Sequence, residues 1–210
     1  MFYCLSFYPQ LSPELAESID AIRRVYDPTF RFKPHITVIF PVHDSVGEQS
    51  LTSHIERVLS DWNPFEIRLG GFYKSRDHWL FLTLREGEGE MKRLYKSLYT
   101  GILEEYGREY IPHLGLGLFL KEGCIYDWSN PREEDFDLAR YEVALRQAKE
   151  LPLSETFVME TLQLTMISDQ WIEWVTGRRA TVPDEGERKV VQEFRLGSQN
   201  AKNSNLLLKD

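Results

Sequence analysis

Two short segments of this chain repeat one another, and the repeat constrains the fold more than any other feature. Lys33-Pro34-His35-Ile36-Thr37-Val38 and Ile111-Pro112-His113-Leu114-Gly115-Leu116 share Pro-His, and the apolar residues that follow alternate in phase. Alternation with a period of two marks a strand with one buried face. A proline disfavours helix in the residue before it, so each Pro-His heads its strand. Ahead of the copies lie runs at helical spacing: Leu15, Ile19, Ile22 and Val25, then Met91, Leu94, Leu98, Ile102 and Leu103. Each copy reads as helix, Pro-His, strand, helix, which makes the chain a duplicated lobe.

The other segments extend the pattern. Residues 2–8 read as a first strand. Ser12 and Pro13 cap and open a helix over about 13–26. Leu51, Ile55, Val58 and Leu59 mark a second helix, ending near Trp62-Asn63-Pro64. Residues 65–73 and 78–85 read as a strand pair joined through Lys74-Ser75-Arg76-Asp77. The spacing predicts a third helix over about 90–106, a strand over 113–120, and a fourth helix from Pro131 to about 150. Thr156–Ile167 and Trp171–Thr176 suggest a further strand pair, with one more strand at Val190–Leu196. This order is α+β. It predicts two pseudo-twofold lobes, interleaved in one domain over 1–196, with antiparallel sheets lining a central cleft and helices outside. The polar tail at 197–210 is expected to be disordered.

Charge and composition exclude several classes. The 210 residues carry 25 Lys+Arg against 33 Asp+Glu, a net −8 at neutral pH. Grip on long duplex nucleic acid needs a basic footprint, which is missing. No apolar run approaches the ~20 residues that span a bilayer, so no membrane partner is expected. Only Cys4 and Cys124 are present, and no Asn-x-Ser/Thr occurs. A reduced, cytoplasmic protein and a monomer are the expectation. Gly-Glu-Gly at 87–89 lacks the lysine of a P-loop and the Rossmann spacing, and no Gly-x-Ser-x-Gly elbow exists.

Strand alternation places His35, Thr37 and Ile39 on one face, with Ile36, Val38 and Phe40 on the other. In the second copy His113, Gly115 and Gly117 oppose Leu114, Leu116 and Leu118, and the two glycines leave the floor beside His113 open. Packed about a pseudo-twofold, both histidines line one cleft. Imidazole titrates near neutral pH, so one neutral and one protonated histidine can move protons at a phosphoester. His43, His54 and His78 have no such partners and read as surface residues. Arg31, Lys33, Lys74 and Arg76 read as a solvated face that lends positive potential to the cleft mouth. Tyr8, Tyr73 and Tyr110 lie near strand ends and read as core or rim packing, with stacking on a base as the alternative. Trp171 and Trp174 read as packing residues.

His35-Ile36-Thr37-Val38 resembles the His-x-Thr/Ser-x motif of the two-histidine (2H) phosphoesterase superfamily, and His113-Leu114-Gly115-Leu116 stands where that family carries its second copy. The 2′-5′ RNA ligase-like and cyclic phosphodiesterase proteins belong there. The resemblance covers roughly residues 2–170. It implies two α+β lobes around a cleft, no metal and no cofactor, and chemistry at 2′,3′-cyclic phosphates or 2′-linked phosphodiesters. Carried over, it makes His35 and His113 the acid–base pair and Thr37 a phosphate ligand. Gly115, Lys33 and Tyr8 are expected to contact the substrate, a nucleotide or short RNA end. Gly115 departs from the family, which has Thr or Ser there. That departure keeps open a catalytically weak module that binds a phosphoester or RNA end without turnover, and a scaffold that serves only partner contact.

Overall fold

A computed structural model describes residues 1–103, 109–183 and 188–197. The elements are β1 (Phe2–Phe7), α1 (Pro13–Tyr26), β2 (Ile36–His43), α2 (Glu48–Ser60), β3 (Phe65–Lys74), β4 (Trp79–Glu86) and α3 (Glu88–Leu98). They continue as β5 (His113–Leu118), α4 (Leu138–Lys149), β6 (Thr156–Met159), β7 (Thr161–Ile167), α5 (Asp169–Val175) and β8 (Arg188–Arg195). The eight strands form one curled sheet in the order β6-β3-β4-β5-β2-β1-β7-β8, with every neighbouring pair antiparallel. This is the expected α+β fold.

The duplication is visible in the topology. One half is β2-β1-β7-β8 and the other β5-β4-β3-β6. The unit β1-α1-β2 in the first matches β4-α3-β5 in the second. The halves meet at a seam where β2 and β5 share a single backbone pair, Ile36 with Leu114. Helices cross this seam: α1 packs on β5 and α3 on β2. Far from the seam, β6 runs into β7 through Glu160 alone, although β6 pairs with β3 and β7 with β1. These two strands, adjacent in sequence, thus belong to different halves of the sheet.

Local chemistry sets the helix ends. Ser12 caps α1 by accepting from the Leu15 amide at 3.3 Å, with Pro13 in the first turn. Leu15, Ile19 and Ile22 are buried along one stripe of α1, and each contributes about 1.5–3 kcal/mol by leaving water. Near the end of α1, Arg23 is buried and donates through Nε to Asp27 at 2.8 Å. The same guanidinium reaches the Phe32 carbonyl at 2.8 Å, while Asp27 accepts from the Thr29 amide at 2.7 Å. This buried pair pins the loop that delivers Pro34 and His35.

Four expectations need correction. The third helix stops at Leu98. Tyr99 leaves the helix to receive the Phe40 amide on its hydroxyl at 2.9 Å, and Gly101 turns the chain at φ 69°. Residues 104–108 of the expected helix lie outside the described residues. The fourth helix begins at Leu138, capped by Asp137, because Glu133–Asp135 forms a separate 3-10 turn. Residues 171–175 are helix α5, not a strand: Trp171 and Trp174 stand three apart, share its buried face and meet edge to face at 5.8 Å. His54 and His78 are buried rather than surface residues. The His54 Nε2 donates to the Leu98 carbonyl at 2.8 Å, and His78 stacks on Phe136 with Nε2 at 2.9 Å from the Arg132 carbonyl. The strand at 190–196 is β8, whereas the tail beyond Gly197 lies outside the described residues. Cys4 and Cys124 are not joined in a disulfide, and among the described residues no helix is long and apolar enough to cross a membrane.

Removing one member of the Arg23–Asp27 pair strands the other charge in the interior. Asp27→Ala is expected to lower stability by about 3–5 kcal/mol in urea unfolding. A loss below ~1 kcal/mol contradicts a buried pair and matches an exposed one.

Candidate active site

The seam brings the two motifs together. Ile36 pairs with Leu114 alone, and in that antiparallel register His35 falls on the side of Gly115 and Thr37 on the side of His113. Ile36 and Leu114 are fully buried, so their neighbours on either side project to the opposite face. There His35, Thr37, His113 and Gly115 line one cleft of about 820 Å³. Both histidines are anchored alike. Nδ1 of His35 lies 2.9 Å from the Lys33 carbonyl, and Nδ1 of His113 lies 2.6 Å from the Ile111 carbonyl. A carbonyl can only accept, so Nδ1 carries the proton in each neutral ring.

Strict alternation fails three residues after each histidine. On β1, Leu5 pairs with Ile39 and Ser6 with Thr37, so Val38 is the extra residue of a bulge. On β4, Leu80 pairs with Gly117 and Phe81 with Gly115, so Leu116 is the matching bulge. The bulge sends Ile39 into the core and Phe40 to the cleft. It also turns Gly117 towards α1, where a Cβ would sit 2.6 Å from that of Tyr26. Gly117 is thus a close-approach position and not part of the cleft floor. The floor beside His113 is not open either: the indole of Trp79 lies 3.5 Å from where a Cβ of residue 115 would be.

The two histidines differ in their surroundings. His113 stacks on Phe81 with ring centroids 3.5 Å apart. Burial lowers its pKa to about 4, against smaller opposing effects of the Ile111 carbonyl and Asp77. It is neutral at pH 7. His35 packs instead beside the ring of Tyr8, at 5.5 Å. The tyrosine is not a cleft wall and meets the site through this contact. Lys33 contributes its backbone carbonyl, and its side chain is exposed outside the cleft.

Other sequence candidates separate cleanly. Tyr73 lines the cleft, 43% exposed and stacked on Phe81. Tyr110 is buried, and its hydroxyl donates to the Thr37 carbonyl at 3.0 Å. Arg76 lines the cleft, whereas Lys74 lies over Phe136 and 3.5 Å from Glu133. His43 is exposed and accepts from the Ser45 amide. Phe81 and Trp79 were not picked out from the sequence. Their strand was legible, but their place beside His113 and Gly115 depends on the β4–β5 bulge, which leaves no local signal. Among the described residues no group of three or more His, Cys, Asp and Glu is arranged to hold a metal ion.

A family profile described as the 2′-5′ RNA ligase superfamily matches residues 11–143, a span that includes both motifs. Comparison with curated protein sequences gives no match. Among solved structures, E. coli LigT complexed with 3′-AMP is similar at a TM-score of 0.54 and 15% identity, over 93% of this chain and 99% of that one. Kluyveromyces marxianus Usb1 with uridine monophosphate is similar at 0.51 and 17% identity, over 78% of this chain and 92% of that one. E. coli LigT complexed with NADP+ gives 0.50 and 15% identity, over 94% and 99%. At such identities the likeness is one of fold.

The low pKa of His113 has a sign that can be tested. The unfolded chain takes up the proton near pH 6.5 and the folded chain only near 4. The stability His113 contributes is therefore complete above about pH 6.5 and lost as pH falls towards 4, on the order of 3 kcal/mol in all. An NMR titration of the imidazole Cε1–H is expected to give a midpoint near 4 for His113, rising towards 6.5 in Phe81→Ala. A wild-type midpoint above 6 contradicts the burial.

Proposed function

This chain belongs to the 2′-5′ RNA ligase superfamily, and on that premise we propose that it is a phosphoesterase that opens a 2′,3′-cyclic phosphate, or cleaves a related 2′-linked phosphodiester, on a nucleotide or short RNA end. The observation that carries the reading is the pair of histidines, each anchored through Nδ1, lining one cleft on the two sides of a single backbone pair. LigT with 3′-AMP and Usb1 with uridine monophosphate support a nucleotide as the ligand class.

The surroundings support one division of roles. Neutral His113 accepts the proton of the attacking water at Nε2 as the water oxygen bonds to phosphorus. His35, entering with Nε2 protonated, gives that proton to the ribose oxygen as its bond to phosphorus breaks. One water is added across one P–O bond, and the histidines return to their starting states by exchange with solvent. A positioned general acid or base is worth about 10²–10⁴-fold. Thr37 faces the same space and supplies a hydroxyl to a non-bridging oxygen. Stacking surfaces for a base come from Tyr73 and Trp79, both on the cleft wall.

Trp79 over Gly115 favours a second reading, in which the cleft binds a phosphoester without turnover, because the second hydroxyl of the motif is replaced by an apolar ring. A ³¹P NMR time course on a 2′,3′-cyclic nucleotide with EDTA separates the two. The expected result is a monoester signal from wild type, reduced about 10²-fold or more in His35→Ala and in His113→Ala. Saturable binding with no monoester signal would support the second reading and end the first.

A further inference from the structure

Resting on that reading of the cleft, we infer that it selects a singly charged phosphodiester over a doubly charged phosphomonoester, with Arg76 as the cation that meets the phosphate. Among the described residues lining the cleft, two guanidinium groups face three carboxylates: Arg23 and Arg76 against Asp27, Asp77 and Glu109. Arg23 is committed. It is 3% exposed, bonded to Asp27 through Nε, and shared with the Thr29 and Phe32 carbonyls. Glu109 is paired with Lys92 at 3.4 Å, and Asp77 accepts from the Tyr126 hydroxyl. Arg76 is exposed, stands in the β3–β4 turn, and makes no hydrogen bond or ion pair among the described residues.

A phosphate between the histidines thus meets Arg76, the protonated His35 and the Thr37 hydroxyl, with the Asp77 carboxylate on the same cleft. It finds no hydroxyl at position 115. A diester carries one negative charge, which balances what Arg76 and His35 leave once Asp77 is offset. A monoester carries about −1.5 to −2 at neutral pH, and its second charge faces carboxylates in a partly dehydrated space, where like charges repel more strongly than in water. The reaction itself converts the first kind of ligand into the second, since ring opening turns a diester into a monoester. The product is therefore held more weakly than the substrate and leaves the site that made it.

Calorimetric titration of the full chain at pH 7.5 tests this without requiring turnover. The probes are 2′-deoxyadenosine 3′-(methyl phosphate), singly charged and unable to cyclise, and 2′-deoxyadenosine 3′-monophosphate. The diester is expected to bind at least fivefold tighter. Arg76→Ala is expected to weaken the diester about tenfold, and Arg76→Lys to retain binding within threefold because it keeps the charge. A monoester that binds as tightly as the diester, an unchanged diester affinity in Arg76→Ala, or no binding of either probe overturns the inference. The ³¹P time course decides the phosphoesterase reading independently, so an active enzyme that prefers the monoester refutes only the charge selection.

Discussion

The site depends on one antiparallel backbone pair. Ile36 opposite Leu114 is the pairing between β2 and β5, and it sets which residue of each motif faces which. A slip of one residue would send both histidines into the core and both apolar partners into the cleft. One pair is a weak joint by itself. The crossing of α1 onto β5 and of α3 onto β2 makes each half depend on the other's helix. The burial of Leu15, Ile19, Met91 and Leu94 stabilises the seam along with the helices that carry them. Packing energy spent on an ordinary helix–sheet core is thereby spent on the geometry of the cleft as well.

Duplication supplies equal frames and the neighbouring side chains make them unequal. The Nδ1 anchors and the bulges at Val38 and Leu116 are shared. Phe81 against His113, Tyr8 against His35, and Trp79 where a hydroxyl would oppose Thr37 are not. Two identical histidines cannot divide acid and base work; two in different surroundings can. The asymmetry comes from β1 and β4, the strands that flank the motif strands, so the motifs themselves stay nearly alike.

Much of this was legible in the chain. Ser12-Pro13 announces α1, the in-phase alternation announces β2 and β5, and the shared Pro-His announces their equivalence. What was not legible lies where long-range partners override local pattern. The bulges arise from pairing with β1 and β4, so they leave no trace in the period of β2 or β5. Residues 171–175 are rich in apolar and aromatic residues, as a strand would be, and only their i, i+3 tryptophans hint at the helix that the Phe32 and Trp79 cluster selects. His54 and His78 were taken for surface residues because neither has a chemical partner nearby in sequence. Their partners are backbone carbonyls 44 and 54 residues away.

The tyrosines beside the seam have a separate meaning. Beyond Leu114, β5 no longer pairs with β2, and the hydroxyls of Tyr110 and Tyr99 take up the Thr37 carbonyl and the Phe40 amide. Tyr95 stacks between them, 4.2 Å from Tyr110 and 4.3 Å from Tyr99. The gap between the diverging strands is thus held by the length of phenol rings and not by the fixed spacing of a ladder. A strut made of side chains can be lengthened or shortened by point substitution, which no backbone ladder allows. In this architecture the aperture of the cleft can drift through descent while the two imidazole rings stay where they are.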